Sequence, residues 1–213
     1  MLRDWFERRN GGAARLYERV VHAVDEAGVA GARRHLLAGV PAPVLELGCG
    51  PGAAFGSYPA GTEVTALEPE PDFRRAARQR AAGAPARIRV LAGDAHDLPF
   101  ADGSFASVVS QLTLCSVASP RTALSEAYRV LRPGGQLRLL EHVRHPQPWL
   151  GRVQDVVDPL WTRLEGRGCH LGRDTPRAVA EAGFTLEGIE AVPLPTGAAW
   201  LFPVVMVRAR RPA

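Results

Sequence analysis

Nine consecutive residues, Val44-Leu45-Glu46-Leu47-Gly48-Cys49-Gly50-Pro51-Gly52, constrain the chain more than any other stretch. The first four read as a buried strand, and the three alternating glycines read as a sharp turn that opens into a helix. Such a turn takes positive φ and lets the backbone approach a ligand with no Cβ in the way, so the stretch is a cradle for a cofactor. Glu46, two positions before the first glycine, suits the cationic amino group of an amino-acid-like cofactor. Glu68 lies about twenty residues beyond Gly48, at the end of the next apolar strand, where a carboxylate accepts hydrogen bonds from ribose hydroxyls.

Two other readings compete for the same glycines. Gly48, Gly50 and Ala53 fit the dinucleotide pattern G-x-G-x-x-G/A, but a pyrophosphate wants backbone donors and no adjacent negative charge. Glu46 together with Pro51-Gly52 therefore argues against NAD. An ordinary tight turn would leave Glu68 and the later motifs without a role.

A length of 213 residues with 46% hydrophobic content suits one globular domain, here expected to run over residues 1–213 with an N-terminal segment, 1–42, and a core, 43–213. The formal charge is +4, and all 26 basic residues are arginine. They form no long block and no stripe interleaved with aromatics, so no nucleic-acid partner is expected. Peripheral contact with a membrane surface stays open, as does the oligomeric state. Cys49, Cys115 and Cys169 make neither a C-x-x-C motif nor an even disulfide framework, which fits a cytoplasmic location. Residues 1–10 are too charged for a secretory signal, and the apolar stretch from Ala198 to Val207 falls well short of the ~18 residues a spanning helix needs. No transmembrane segment is expected.

Along the chain, Leu16, Val20, Val21 and Val24 recur at helical spacing between Ala13 and Ala27, and a second short helix is expected over Ala32–Leu37. This N-terminal segment is either a lid over the cradle or packing at the sheet edge. Strands are expected over Glu63–Leu67, Ile88–Ala92, Phe105–Gln111 and Gln136–Glu141. Helices are expected over Asp72–Ala82 and from Pro120 through Leu131, the latter stopped by Pro133-Gly134-Gly135. Asp94, just after the third strand, stands where a carboxylate can accept an adenine amino hydrogen bond. This alternation implies an α/β fold with a doubly wound parallel sheet. The rhythm then changes: helices over about Leu150–Leu164 and Thr175–Ala182 precede strands Thr185–Ala191 and Leu201–Arg208, which read as an antiparallel pair.

The motifs Glu46-Leu47-Gly48-Cys49-Gly50-Pro51-Gly52, Gly93-Asp94-Ala95 and Arg129-Val130-Leu131-Arg132-Pro133-Gly134-Gly135 together resemble those of class I S-adenosylmethionine-dependent methyltransferases. The resemblance implies a Rossmann-like, doubly wound seven-stranded sheet whose last strand pair is antiparallel. It also implies S-adenosylmethionine as cofactor and S-adenosylhomocysteine as product. The cofactor contacts it implies are Glu46, Gly48, Cys49, Gly50 and Gly52 in the cradle, and Glu68 with Pro69 after the second strand. Asp94 with Ala95, and Gln111 with Leu112, complete the set. A narrower resemblance, to alkyl thiol methyltransferases, rests on Phe55-Gly56-Ser57-Tyr58-Pro59, Leu114-Cys115-Ser116-Val117, Glu141-His142-Val143 and Gly168-Cys169-His170-Leu171.

The expected activity is methyl transfer to a small, largely apolar acceptor such as an alkyl thiol. A quinone, lipid or natural-product C-, O- or N-methyltransferase is the alternative on the same scaffold, and a catalytically silent cofactor-binding module the alternative outside enzymes. His142 is the candidate to orient or deprotonate the acceptor, against a purely structural histidine, and Tyr17 is expected nearest the acceptor. Trp149, Leu160 and Trp161 either wall the acceptor pocket or form the buried face of the long helix. His142, Cys169 and His170 lack ligand spacing, so no metal is expected.

Overall fold

A computed structural model describes residues 29–165, 168–193 and 202–213. Seven strands form one sheet in the order β3-β2-β1-β4-β5-β7-β6. They are β1 (Val44–Leu47), β2 (Glu63–Leu67), β3 (Arg87–Leu91), β4 (Phe105–Gln111), β5 (Leu131–His142), β6 (Thr185–Val192) and β7 (Val204–Arg210). The first five run parallel, and β7 lies antiparallel between β5 and β6. The expected α/β sheet with an antiparallel last pair is therefore the observed one. The helices are α1 (Ala30–Leu37), α2 (Pro71–Ala81), α3 (Pro120–Val130), α4 (Pro148–Glu165) and α5 (Thr175–Glu181).

Side-chain alternation along the central strands places apolar residues on both faces, as a doubly covered sheet requires. Leu45, Leu47, Val108, Leu137 and Leu139 join Leu124 and Ala127 of α3 in one core. Val44, Val64, Ala66 and Val109 point the other way, onto Leu37, Phe55, Tyr58 and Ala77. Glu46 shares the parity of Val44, so its carboxylate is carried to the Tyr58 side. β1 and β4 are neighbours with crossovers leaving in opposite directions, which opens a crevice at their C-terminal ends.

Three expectations need correction. β5 starts at Leu131 rather than at Gln136, because Pro133-Gly134-Gly135 forms an irregular strand start instead of a loop. Gly134 N–H donates to Arg211 O and Arg211 N–H to Gly135 O, both at 2.9 Å, so the C-terminal strand extends the ladder across the glycines. β7 begins at Val204, immediately after Pro203, whose ring nitrogen cannot donate to a ladder. Trp149 and Leu160 are exposed, at 59% and 60%, and α4 buries Leu150 and Gln154 in their place. Neither residue belongs to a buried face. The Ala13–Ala27 helix and Tyr17 lie outside the described residues.

Candidate active site

The parallel strands deliver Glu46, Glu68, Gln111 and His142 to one edge of the sheet. Gly48, Gly50 and Gly52 take φ of 61°, 55° and 84°, so the turn after β1 is left-handed at every second residue. A Cβ on Gly48 would collide with the Thr113 side chain, and one on Gly52 would lie 2.7 Å from the Phe55 ring. Larger residues have no room at either position. The loop is tied down on both sides: Cys49 N–H donates to Leu67 O at 2.9 Å, Gly50 N–H to Glu68 Oε2 at 2.7 Å, and Thr113 Oγ1 to Gly48 O at 3.1 Å.

Glu46 is buried at 2% exposure. Tyr58 O–H donates to its Oε2 at 3.0 Å, and Gln111 Nε2 approaches Oε1 at 3.5 Å. Burial pushes its carboxyl up to about 7, against the pull of the Tyr58 bond and the Arg33 charge. Gln111 Oε1 is buried without a hydrogen-bond partner. A buried carboxyl and an amide oxygen without a donor thus stand together, an arrangement that suits an ammonium. Cys49 points into the same region, but burial, then Glu46 and Glu68, raise its thiol and make it a poor nucleophile.

Glu68 uses both oxygens to hold backbone, accepting from Gly50 N–H and, at 3.0 Å, from Glu70 N–H. Each oxygen keeps a second lone pair for a hydroxyl. Pro69 follows it, and its carbonyl accepts from Arg74 at 2.8 Å. Asp94 sits with Ala95 on the turn after β3, and its Oδ1 accepts from His96 N–H at 2.9 Å and His96 Nδ1 at 2.5 Å. The His96 backbone bond is the main cause of its lowered pKa. His96 Nε2 accepts from Ser119 N–H at 3.0 Å, which fixes the Nδ1–H tautomer and links the turn to the first residue of the α3 cap.

Beyond β4 the backbone is strained. Leu112 has φ of 54°, the one positive value of a non-glycine among the described residues, at a cost of about 1–2 kcal/mol. Glu141, fully buried on β5, holds this turn in place. Its Oε1 accepts from Ser110 Oγ at 2.7 Å, Thr113 N–H at 3.1 Å and Leu114 N–H at 3.0 Å, and its Oε2 from Cys115 N–H at 3.3 Å. His142 follows it, 5% exposed, with Nδ1 3.8 Å from Cys169 Sγ and Nε2 buried without a partner. Its ring packs at 5.6 Å on Phe202, which packs at 5.1 Å on Trp161. Among the described residues no group of three or more His, Cys, Asp or Glu is placed to hold a metal ion.

Sequence reasoning did not find the Tyr58 anchor, the Thr113 clamp or the donors around Glu141. Tyr58 left a trace inside the Phe55–Pro59 motif, and Leu114, Cys115 and Glu141 stood in separate motifs with nothing to join them. The others join residues whose separation, about 28 between Glu141 and Thr113, hides their contact from any local pattern.

Residues 45–139 match the family model described as "Methyltransferase domain". The chain is 42% identical over 156 residues to human thiol S-methyltransferase TMT1B, covering 71% of this chain and 64% of that one. It spans, that is, just under two thirds of the relative's length. A ubiquinone/menaquinone C-methyltransferase, UbiE of Dinoroseobacter shibae, is 46% identical over 83 residues, 38% of this chain and 33% of its own. In structure, a SAM-dependent methyltransferase from Thermotoga maritima superposes with a TM-score of 0.68 at 23% identity, over 93% of this chain and 96% of that one. The fold, the glycine cradle and these similarities agree: residues 45–139 of the chain carry an S-adenosylmethionine-dependent methyltransferase domain.

Proposed function

We propose that the chain moves a methyl group from S-adenosylmethionine to a small, largely apolar acceptor, with an alkyl thiol as the acceptor class. The observation that carries this reading is the buried Glu46 carboxyl with the unpartnered Gln111 Oε1 next to it, beside a glycine cradle at the switch point of the sheet. Glu46 and Gln111 would hold the ammonium of the methionine moiety, the glycine turn would approach its backbone, Glu68 would take the ribose hydroxyls, and Asp94 with Ala95 would border the base. Bound there, the cofactor supplies an electrophilic methyl on a sulfonium, a good leaving group. The protein then has to align the acceptor and exclude water, and positioning alone can contribute about 7–11 kcal/mol.

The similarity to TMT1B supports the thiol class, and the buried, unpartnered Nε2 of His142 supports this residue as the one that would meet the acceptor. The similarity to UbiE supports a second reading, C-methylation of a quinone. No helix among the described residues is long and apolar enough to cross a membrane. The outward stripe of Trp149, Val153, Val156 and Leu160 on α4 supports peripheral contact with an apolar surface. The buried thiols of Cys49 and Cys115 suit a cytoplasmic location.

A panel of small thiols, quinols, phenols and amines with labelled S-adenosylmethionine tests the acceptor class. Turnover of thiols is expected to rise with pH until the acceptor, with a pKa near ~8.5, is ionised. His142→Ala is expected to steepen that rise while cofactor affinity stays nearly unchanged. Turnover of a quinol or phenol with every thiol inert would replace the thiol reading by the second one.

A further inference from the structure

Two segments more than fifty residues apart are stitched together beside β5. Arg173 holds both ends of one turn, donating through Nη1 to Leu114 O and through Nη2 to Val117 O at 2.6 Å. His170 N–H donates to Cys115 O at 2.8 Å, and a Cβ on Gly168 would lie 3.2 Å from Ser116 O. Glu141 fixes the same turn from below through the Leu114 and Cys115 amides. The result is that Cys115 and Cys169 stand side by side with their thiols hydrogen-bonded, and the Cys169 sulfur lies 3.8 Å from His142 Nδ1. Cys115 is buried at 2% exposure, whereas Cys169 is partly exposed.

The methyl-transfer reading uses neither sulfur. We propose that Cys169 and Cys115 form a peroxide-reactive pair, in which Cys169 is oxidised first and Cys115 resolves it to a disulfide. The Cys169 sulfur attacks one oxygen of a hydroperoxide. The O–O bond breaks, Cys169 becomes a sulfenic acid, and the alkoxide or hydroxide leaves and takes a proton from water. Cys115 then attacks the Cys169 sulfur, its thiol proton leaves with the hydroxide as water, and the S–S bond forms. Two electrons pass from the two sulfurs to the peroxide.

The surroundings favour this order. The hydrogen bond from Cys115, then His142 and the Arg173 charge, hold the Cys169 thiol well below the ordinary range, against the opposing effect of burial. The Cys115 thiol is raised by the same hydrogen bond, by burial and by the charge of Glu141. Cys169 is thus the thiolate and the accessible partner, and Cys115 the protected one. Cys49, buried with its thiol raised, is the internal control.

Brief treatment of the reduced, full-length protein with hydrogen peroxide, followed by alkylation and peptide mapping, tests the proposal. A Cys115–Cys169 cross-linked peptide is expected, with Cys49 still alkylated after unfolding. The rate of Cys169 oxidation is expected to change less than about threefold between pH 6 and pH 8, where an ordinary thiol would gain roughly fifty- to a hundredfold. In Cys115→Ser the sulfenic acid is expected to persist at Cys169 and be trapped by dimedone. Oxidation of Cys49 ahead of Cys169, an ordinary pH dependence, or peroxide consumption with no Cys115–Cys169 peptide would each overturn the pair. None of these readouts involves methyl transfer, so they are independent of the proposed function.

Discussion

Glu141→Leu is expected to lower the unfolding free energy by about 3–5 kcal/mol, since it strands three buried donors and a partly buried one at once. The Ser110 hydroxyl and the Thr113, Leu114 and Cys115 amides all end on this carboxylate, and three of the four are backbone groups that no second substitution can remove. Burial raises the Glu141 carboxyl, so losing the charge returns part of the cost and keeps the net effect below the sum of four orphaned donors. Glu141→Gln is the graded comparison. With its amide oxygen in the Oε1 position it keeps three of the four bonds, and only Cys115 N–H loses its acceptor, for about 1–2 kcal/mol. Urea titration of the three proteins measures both differences. Equal stability of the Leu and Gln variants would show that the turn after β4 does not depend on these bonds. Leu112, strained at φ of 54°, would then need another support.

Glu46→Gln is expected to stabilise the protein above neutral pH and to cost it the cofactor. The folded-state carboxyl lies at about 7, above its unfolded value, so folding favours the protonated form. That contribution is fully present below the unfolded pKa and is lost as pH rises through about 7, leaving a penalty of about 3 kcal/mol at pH 8. The introduced amide carries no such penalty. It keeps an oxygen for Tyr58 O–H, and a flip of the Gln111 amide turns the unpartnered Oε1 toward its N–H. Urea titrations at pH 8 and pH 5 should therefore show a gain of up to about 3 kcal/mol at the first and little at the second. The ammonium of the cofactor would meet a dipole in place of a charge, and affinity is expected to fall more than about a hundredfold. An equal stability change at both pH values would mean that Glu46 does not titrate in this window.

The sheet was largely legible in the sequence because its signals are local. β2 and β4 occupy the expected residues, and the ends of α2 and β3 fall within a residue of expectation, since apolar runs there are bracketed by glycine and proline. The failures have different causes. At Pro133-Gly134-Gly135 the breaker signal is real, but Arg211, some 76 residues on, supplies the partners that make the segment a strand. Trp149 and Leu160 have the composition of a buried face, yet helical phase puts Leu150 and Gln154 inward. In the candidate site, the glycine cradle, Glu46 and Glu68 could be placed from spacing alone. What Glu141 does, and why Cys115 meets Cys169, follows only once β4, β5 and the loop after α4 are folded against one another. Asp94 was expected to face a ligand, and its placement shows a second engagement, with His96, that a spacing argument cannot contain.

Calorimetric titration with S-adenosylhomocysteine at pH 6.5, in two buffers of different ionisation enthalpy and with NAD as the comparison ligand, tests the central claim most directly. In the empty protein Glu46 is mostly protonated at that pH. An ammonium beside it draws its pKa down, so binding must expel a proton. The expected result is binding of S-adenosylhomocysteine with release of most of one proton, no proton release in Glu46→Gln, and no heat with NAD. Binding of NAD without S-adenosylhomocysteine, or S-adenosylhomocysteine binding with no proton released by the unaltered protein, would contradict the account.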